Sequence, residues 1–181
     1  MSCLISKGRA SACNEFIGGV KSIYIANYQD IDGITIDTGN TITELPTGLT
    51  LYKYDLSVKN VSNIVETMTV DATNGITSVD QVLTMDLNGN DAETHAQILL
   101  MGYGRPQIFV LDNFGNTRLL GRVDGCTIST ATSQTGENKK AKYGYTIVFN
   151  AEERTFAQFV EGSTVLDPWA GMTNKPTVVT A

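Results

Sequence analysis

The chain has 181 residues, 41% of them hydrophobic, with a formal net charge of −6 and a pI near 4.7. That length suits one domain burying roughly two-thirds of its unfolded surface. No apolar run approaches the ~20 residues of a membrane-crossing helix, and an acidic chain without a basic stripe is not built to grip nucleic acid through its phosphates. Cys3, Cys13, Cys126 and the single histidine, His95, lack metal-ligand spacing. They read as small apolar fillers and a surface ring. The first residues contain no apolar segment of the secretory kind, so folding in a cytosol is expected. That expectation argues against a Cys3–Cys13 disulfide.

In chain order, residues 1–19 read as an irregular arm punctuated by glycine. Residues 20–28, VKSIYIANY, alternate with apolar side chains on both faces, which predicts a strand covered on both sides. Residues 29–48 carry Asp30, Asp32, Asp37 and Glu44, three glycines and Pro46, and no basic residue. They read as a long acidic loop, or a hairpin standing off the body.

Three sharply alternating stretches follow. Residues 50–60 place Tyr52, Tyr54, Leu56 and Val58 on one face. Residues 62–72 place Ile64, Met68, Val70 and Ala72 together, with Glu66 as an intruder. Residues 76–88 turn Val79, Leu83, Met85 and Leu87 inward and Ser78, Asp80, Thr84 and Asp86 outward. Asn74-Gly75 is a hairpin signal. The three strands form an antiparallel meander with one apolar face and one polar, partly acidic face.

Residues 90–102, NDAETHAQILLMG, predict the one helix. Asn90 is placed as N-cap with Glu93 as capping-box partner, and Ala92, Ala96, Leu99 and Leu100 form the apolar stripe. So short a helix needs a sheet to pack on. Residues 107–112 and 117–122 flank a turn, residues 124–132 form a strand, and residues 133–140 are a polar loop. Next, Tyr143, Tyr145, Ile147 and Phe149 alternate with Gly144, Thr146, Val148 and Asn150. This reads as the last core strand, stopped by Glu152-Glu153-Arg154, and an extended arm of residues 162–181 holds Trp169. The expected fold is mainly β. It is an antiparallel β-sandwich or barrel-like single domain with one flanking helix at about residues 90–102, a core over residues 20–160 and arms at both ends.

No enzyme signature is present. Asp86 to Asp91 starts like a calcium loop, but Asp91 stands where glycine is required and Gln97 where glutamate is. Gly102-Tyr103-Gly104 follows a helix and ends at Gln107, so no dinucleotide cradle is implied. Neither a metal nor a cofactor is expected. What remains is charge: no basic residue lies between Lys59 and Arg105, while Glu66, Asp71, Asp80, Asp86, Asp91 and Glu93 do. This is either a solvated sheet face or a surface that must not stick to an anionic polymer.

The order of elements over residues 20–160 resembles that of phage tail-tube proteins. Leu51-Tyr52-Lys53-Tyr54 followed by Ile64-Val65-Glu66-Thr67 is similar to the family's paired strands, and residues 96–101 to its flanking helix. The nearest likeness is at the end: residues 125–130, a glycine-containing loop, then Gly144-Tyr145-Thr146-Ile147-Val148-Phe149 closing on Glu152-Glu153. The resemblance implies a non-enzymatic virion subunit, made in the host cytoplasm, that joins copies of itself and other tail proteins. Hexameric rings would stack into a hollow tube, the sheets of neighbours combining into an inner barrel through which DNA passes without specific binding. It makes Asp71, Asp80 and Asp86 lumen candidates. Asp30, Asp32, Asp37 and Glu44 become ring-to-ring candidates, and Trp169 is either an inter-subunit anchor or packed on its own domain. The rivals are a single-ring neck, tail-terminator or hub protein, and a monomeric ligand- or carbohydrate-binding β-module.

Overall fold

A computed structural model describes residues 7–10, 16–56 and 61–180. Cys3, Cys13, Val58 and any Cys3–Cys13 bridge lie outside them. The elements in order are β1 (Val20–Ala26), β2 (Thr35–Ile36), β3 (Thr41–Glu44), β4 (Thr50–Asp55), β5 (Asn63–Asp71), β6 (Ile76–Asn88), α1 (Ala92–Tyr103), β7 (Gln107–Asp112), β8 (Thr117–Leu120), β9 (Thr127–Gln134), β10 (Gly144–Glu153), β11 (Gln158–Val160) and β12 (Thr177–Val179). The fold is mainly β, with two sheets and one helix among the described residues. The larger sheet runs β12-β4-β1-β7-β8-β11-β3-β2 and the smaller β5-β6-β10-β9, and neither closes into a barrel.

β1 explains the layering. Its side chains alternate between two separate cores, and Ser22 to Ala26 are all buried. On one face Ile23 and Ile25, with Ile108, Val110 and Leu120, meet Leu83, Met85, Leu87, Tyr145, Ile147 and Phe149 of the four-stranded sheet. On the other face Tyr24 and Ala26 join Phe109, Leu111 and Leu119 under a cover made by Ile31, Ile42, Leu45, Leu49, Trp169 and Met172. The expected two-sided cover of β1 is therefore present, with one side made by a sheet and the other by connecting segments.

Those connecting segments correct three expectations. Residues 29–48 do not stand off the body. Ile31, Ile42 and Leu45 are essentially fully buried, and β3 pairs in parallel with β11, so burial holds the excursion down as a lid. The C-terminal residues are not an extended arm. β12 pairs in parallel with β4, and Trp169 lies only 4% exposed, its ring edge-on to Tyr24 and Phe109 at 5.5 and 5.1 Å. Nor is β10 the last core strand, since β11 and β12 follow it in the larger sheet.

Local expectations were also adjusted by tertiary packing. In β6 the expected inward set is buried, but in β5 Met68 and Val70 are exposed, because the β5–β6 hairpin runs on past the body that would cover them. The intruder Glu66 has a role: it accepts the Ala157 N–H at 2.6 Å and pairs with Arg118 on β8 at 3.6 Å, tying the β5 edge to the larger sheet. Tyr143 lies outside β10 and is half exposed. In β4 it is Leu51, rather than Tyr52, that is fully buried. The helix N-cap is Asp91 rather than Asn90, its carboxylate accepting the Thr94 N–H at 2.7 Å. α1 docks through Ile98 and Met101, which leaves Leu99 and Leu100 outside.

Because Trp169 fills the second core, Trp169→Ala should destabilise the fold by about 3–5 kcal/mol in urea unfolding. The indole N–H has no hydrogen-bond partner among the described residues. Trp169→Phe should therefore cost much less than Trp169→Ala in the same measurement.

Candidate functional site

The four-stranded sheet spends one face on the core and leaves the other open. The register sets that open face. Thr67 and Glu152 flank Asp80, and Val65 and Asn150 flank Val82. Asn63 and Val148 flank Thr84, and Thr146 stands between Asp86 and Thr132. The surface is threonine-rich and carboxylate-bearing, and among the described residues it has no aromatic ring. None of the four strands contains a lysine or arginine.

All three lumen candidates lie on this face. Asp80 lines a cavity of about 450 Å³ together with Asp124, Glu152 and, from the segment before β7, Arg105. Asp86 is on the same face but is paired with Lys142, which enters from the loop before β10 and also reaches the Thr146 hydroxyl. Asp71 closes the hairpin. The Asn74 amide, with the N–H groups of Asn74 and Thr73, holds its carboxyl below the usual carboxylate range. The structure adds Glu152, directly opposite Asp80 on β10. The triplet Glu152-Glu153-Arg154 was expected to end the strand, yet β10 runs through Glu153. The carboxylates at the strand's end were visible in the sequence, but facing Asp80 is a matter of register.

The other candidates lie elsewhere. Asp30, Asp32, Asp37 and Glu44 are exposed on the lid over the second core, across the larger sheet from the carboxylate face. Asp37 has a local task, accepting the Gly39 and Thr41 N–H groups at 2.8 Å in the turn before β3. Trp169 is inside its own subunit, because its ring fills the gap between Tyr24 and Phe109; of the two expected roles, packing on its own domain is the one observed. Cys126 is buried, and burial, followed by the charge of Glu153, pushes its thiol up to about 12. It presents no thiolate at neutral pH.

No family model matches the chain, and neither does any curated protein or solved structure. The function of the open face is therefore argued from geometry and charge.

The edges of the two sheets differ in kind. The larger sheet ends in β12 and β2, of three and two residues. The smaller sheet ends in β5 and β9, of nine and eight residues, each hydrogen-bonded among the described residues to a strand on one side only. β9 reads TISTATSQ, with no charge and no proline. Long edges of this kind are templates for pairing with another chain, and short strands, charges or proline are the usual ways to blunt them.

The facing carboxylates Asp80 and Glu152 have a thermodynamic consequence. Like charges directly opposite across an antiparallel pair are destabilising. Asp80→Asn or Glu152→Gln should raise the unfolding free energy by roughly 0.2–1 kcal/mol. The double variant should gain less than the sum of the two, and urea titration of the isolated subunit checks both points.

Proposed function

We propose that the chain is a structural subunit that polymerises through the four-stranded sheet into rings, hexameric by the resemblance to phage tail-tube proteins. The rings stack into a hollow conduit for DNA. The observation that carries this reading is the pair of long edges on one sheet, of which β9 has neither charge nor proline.

The topology favours ring closure. The smaller sheet is antiparallel throughout and has four strands. With an even number, rotation about a ring axis sets β9 of one copy antiparallel to β5 of the next. Every open backbone group on both edges is then paired with an identical neighbour, and a closed barrel has no edge left to manage.

The open face then becomes the wall of the bore. A wall of hydroxyls, amides and carboxylates without strand-borne cations repels phosphates, so DNA can slide. A wall with many lysine or arginine contacts would hold DNA and stall it. The missing aromatic side chains argue against the carbohydrate-binding alternative on this face, since a sugar platform uses aromatic rings. In this reading no residue is catalytic, and the other partners are further tail proteins.

Negative-stain microscopy and light scattering of the purified protein test the proposal. Stacked tubes are expected; isolated rings would move the assignment to a neck, terminator or hub role, and a persistent monomer would end it. Ala131 lies on the exposed β9 edge strand. Ala131→Lys should leave the circular dichroism spectrum unchanged while abolishing assembly, because a lysine blunts an edge strand. In assembled virions, Asp71→Lys, Asp80→Lys and Asp86→Lys combined should lower DNA delivery. Unchanged delivery would remove these residues from the bore.

A further inference from the structure

Two apolar surfaces remain uncovered, and they lie on opposite flanks of the sandwich. The first belongs to α1. Leu99, Leu100 and Tyr103 are exposed, Tyr103 by 87%, and no residue of the helix is buried. The helix lies against β9. It contains no lysine or arginine, and Asp91 and Glu93 stand at its start. The Thr94 N–H, accepted by Asp91, holds that carboxyl below the usual range. This flank is apolar and, at the helix start, acidic; of the cations beside it, Lys53 is paired with Asp55 and Arg105 lies over the Tyr28 ring.

The second surface is formed by Phe16, Ile17 and Phe114. All three are exposed, and the two phenyl rings stand 5.2 Å apart. They line a cavity of about 480 Å³ together with Asn63 and Ile64, where β5 begins. Arg9 lines the same cavity, and Lys7 lies two residues before it. Both are exposed, and neither makes an ion pair among the described residues. This flank is apolar and basic.

Each surface adjoins one of the open edges, α1 beside β9 and the aromatic patch beside β5. We infer that the exposed face of α1 is a docking surface for a second copy of the chain, whose Phe16, Ile17 and Phe114 cover Leu99, Leu100 and Tyr103. Lys7 and Arg9 of that copy then face Asp91 and Glu93. This rests on the ring reading, and it adds a side-chain contact separable from strand pairing. Ring closure brings the next β5 to β9, and with it the patch at the start of β5. Strand addition alone supplies main-chain hydrogen bonds but little area, whereas a stable interface covers about 800 Å² per partner around buried aromatic anchors. A phenylalanine or tyrosine buries about 150–250 Å².

Full-length variants decide the matter by critical concentration for assembly, read by light scattering. Leu99→Glu with Leu100→Glu alters only exposed side chains, so the subunit should keep its circular dichroism spectrum. Its critical concentration should rise at least about tenfold. Adding Phe16→Lys and Ile17→Lys to the same chain should bring it back toward the parent value, as should combining Glu93→Arg with Arg9→Glu after each alone has weakened assembly. If the leucine variant assembles like the parent, the docking surface is refuted while the ring reading stands. If assembly is weakened but neither compensation restores it, something other than this patch covers α1 and the pairing is wrong. A parent protein that never assembles overturns both the ring reading and this contact.

Discussion

A strand with apolar side chains on both faces cannot lie at a surface, and β1 is such a strand. Ile23 and Ile25 require one cover, and Tyr24 and Ala26 require another. The chain meets the first requirement with a second sheet and the second with the excursion at residues 29–49 and the C-terminal residues around Trp169. The larger sheet is thereby enclosed and its edges are short. The smaller sheet needs only one face for the core, and so its other face and both of its edges are free for another purpose.

Departures from what suits an isolated subunit gather around that smaller sheet. Its edge strands are long, β9 has neither charge nor proline, and Asp80 faces Glu152 with no strand-borne cation between them. The helix beside it buries none of its residues. Each feature weakens a monomer or invites association, and such conflicts between local rules and fold tend to mark functional surfaces. Elsewhere the rules are kept. Glu66, the one charge on the inner face of β5, is satisfied by Arg118 and the Ala157 N–H. Asp112 also approaches Arg118, at 3.8 Å, and the guanidinium lies over Phe159.

What could be read from the sequence follows from this division. β6 and β10 bury one face each, so a period of two named their inward residues in advance, and Asn74-Gly75 marked the turn before β6. The excursion at residues 29–48 was illegible because Ile31, Ile42 and Leu45 follow no regular period; each is buried by where the backbone lies on the larger sheet. Helix α1 was found, but not its orientation. Its apolar residues nearly encircle it, and only the position of β9 and the core selects Ile98 and Met101 over Leu99 and Leu100. Asp80 and Asp86 were legible as outward residues. The opposition of Glu152 to Asp80 required the pairing of β6 with β10, strands separated by the helix, a hairpin and β9.

The edges also bear on how copies would meet. A two-fold dimer could join β9 to β9 or β5 to β5, both antiparallel, but each leaves the other edge open and so does not remove the liability. Pairing β5 with β5 would also bring the carboxylates of that strand, Glu66 and Asp71, toward their own copies. Pairing β9 with β5 sets an uncharged strand against an acidic one and uses both edges in every subunit. The two apolar flanks point the same way. Acidic α1 beside β9 does not complement itself, and neither does the Arg9-bearing patch beside β5, whereas each complements the other. A head-to-tail contact is the arrangement that satisfies backbone, apolar surface and charge together, and when rotation closes such a contact the product is a ring.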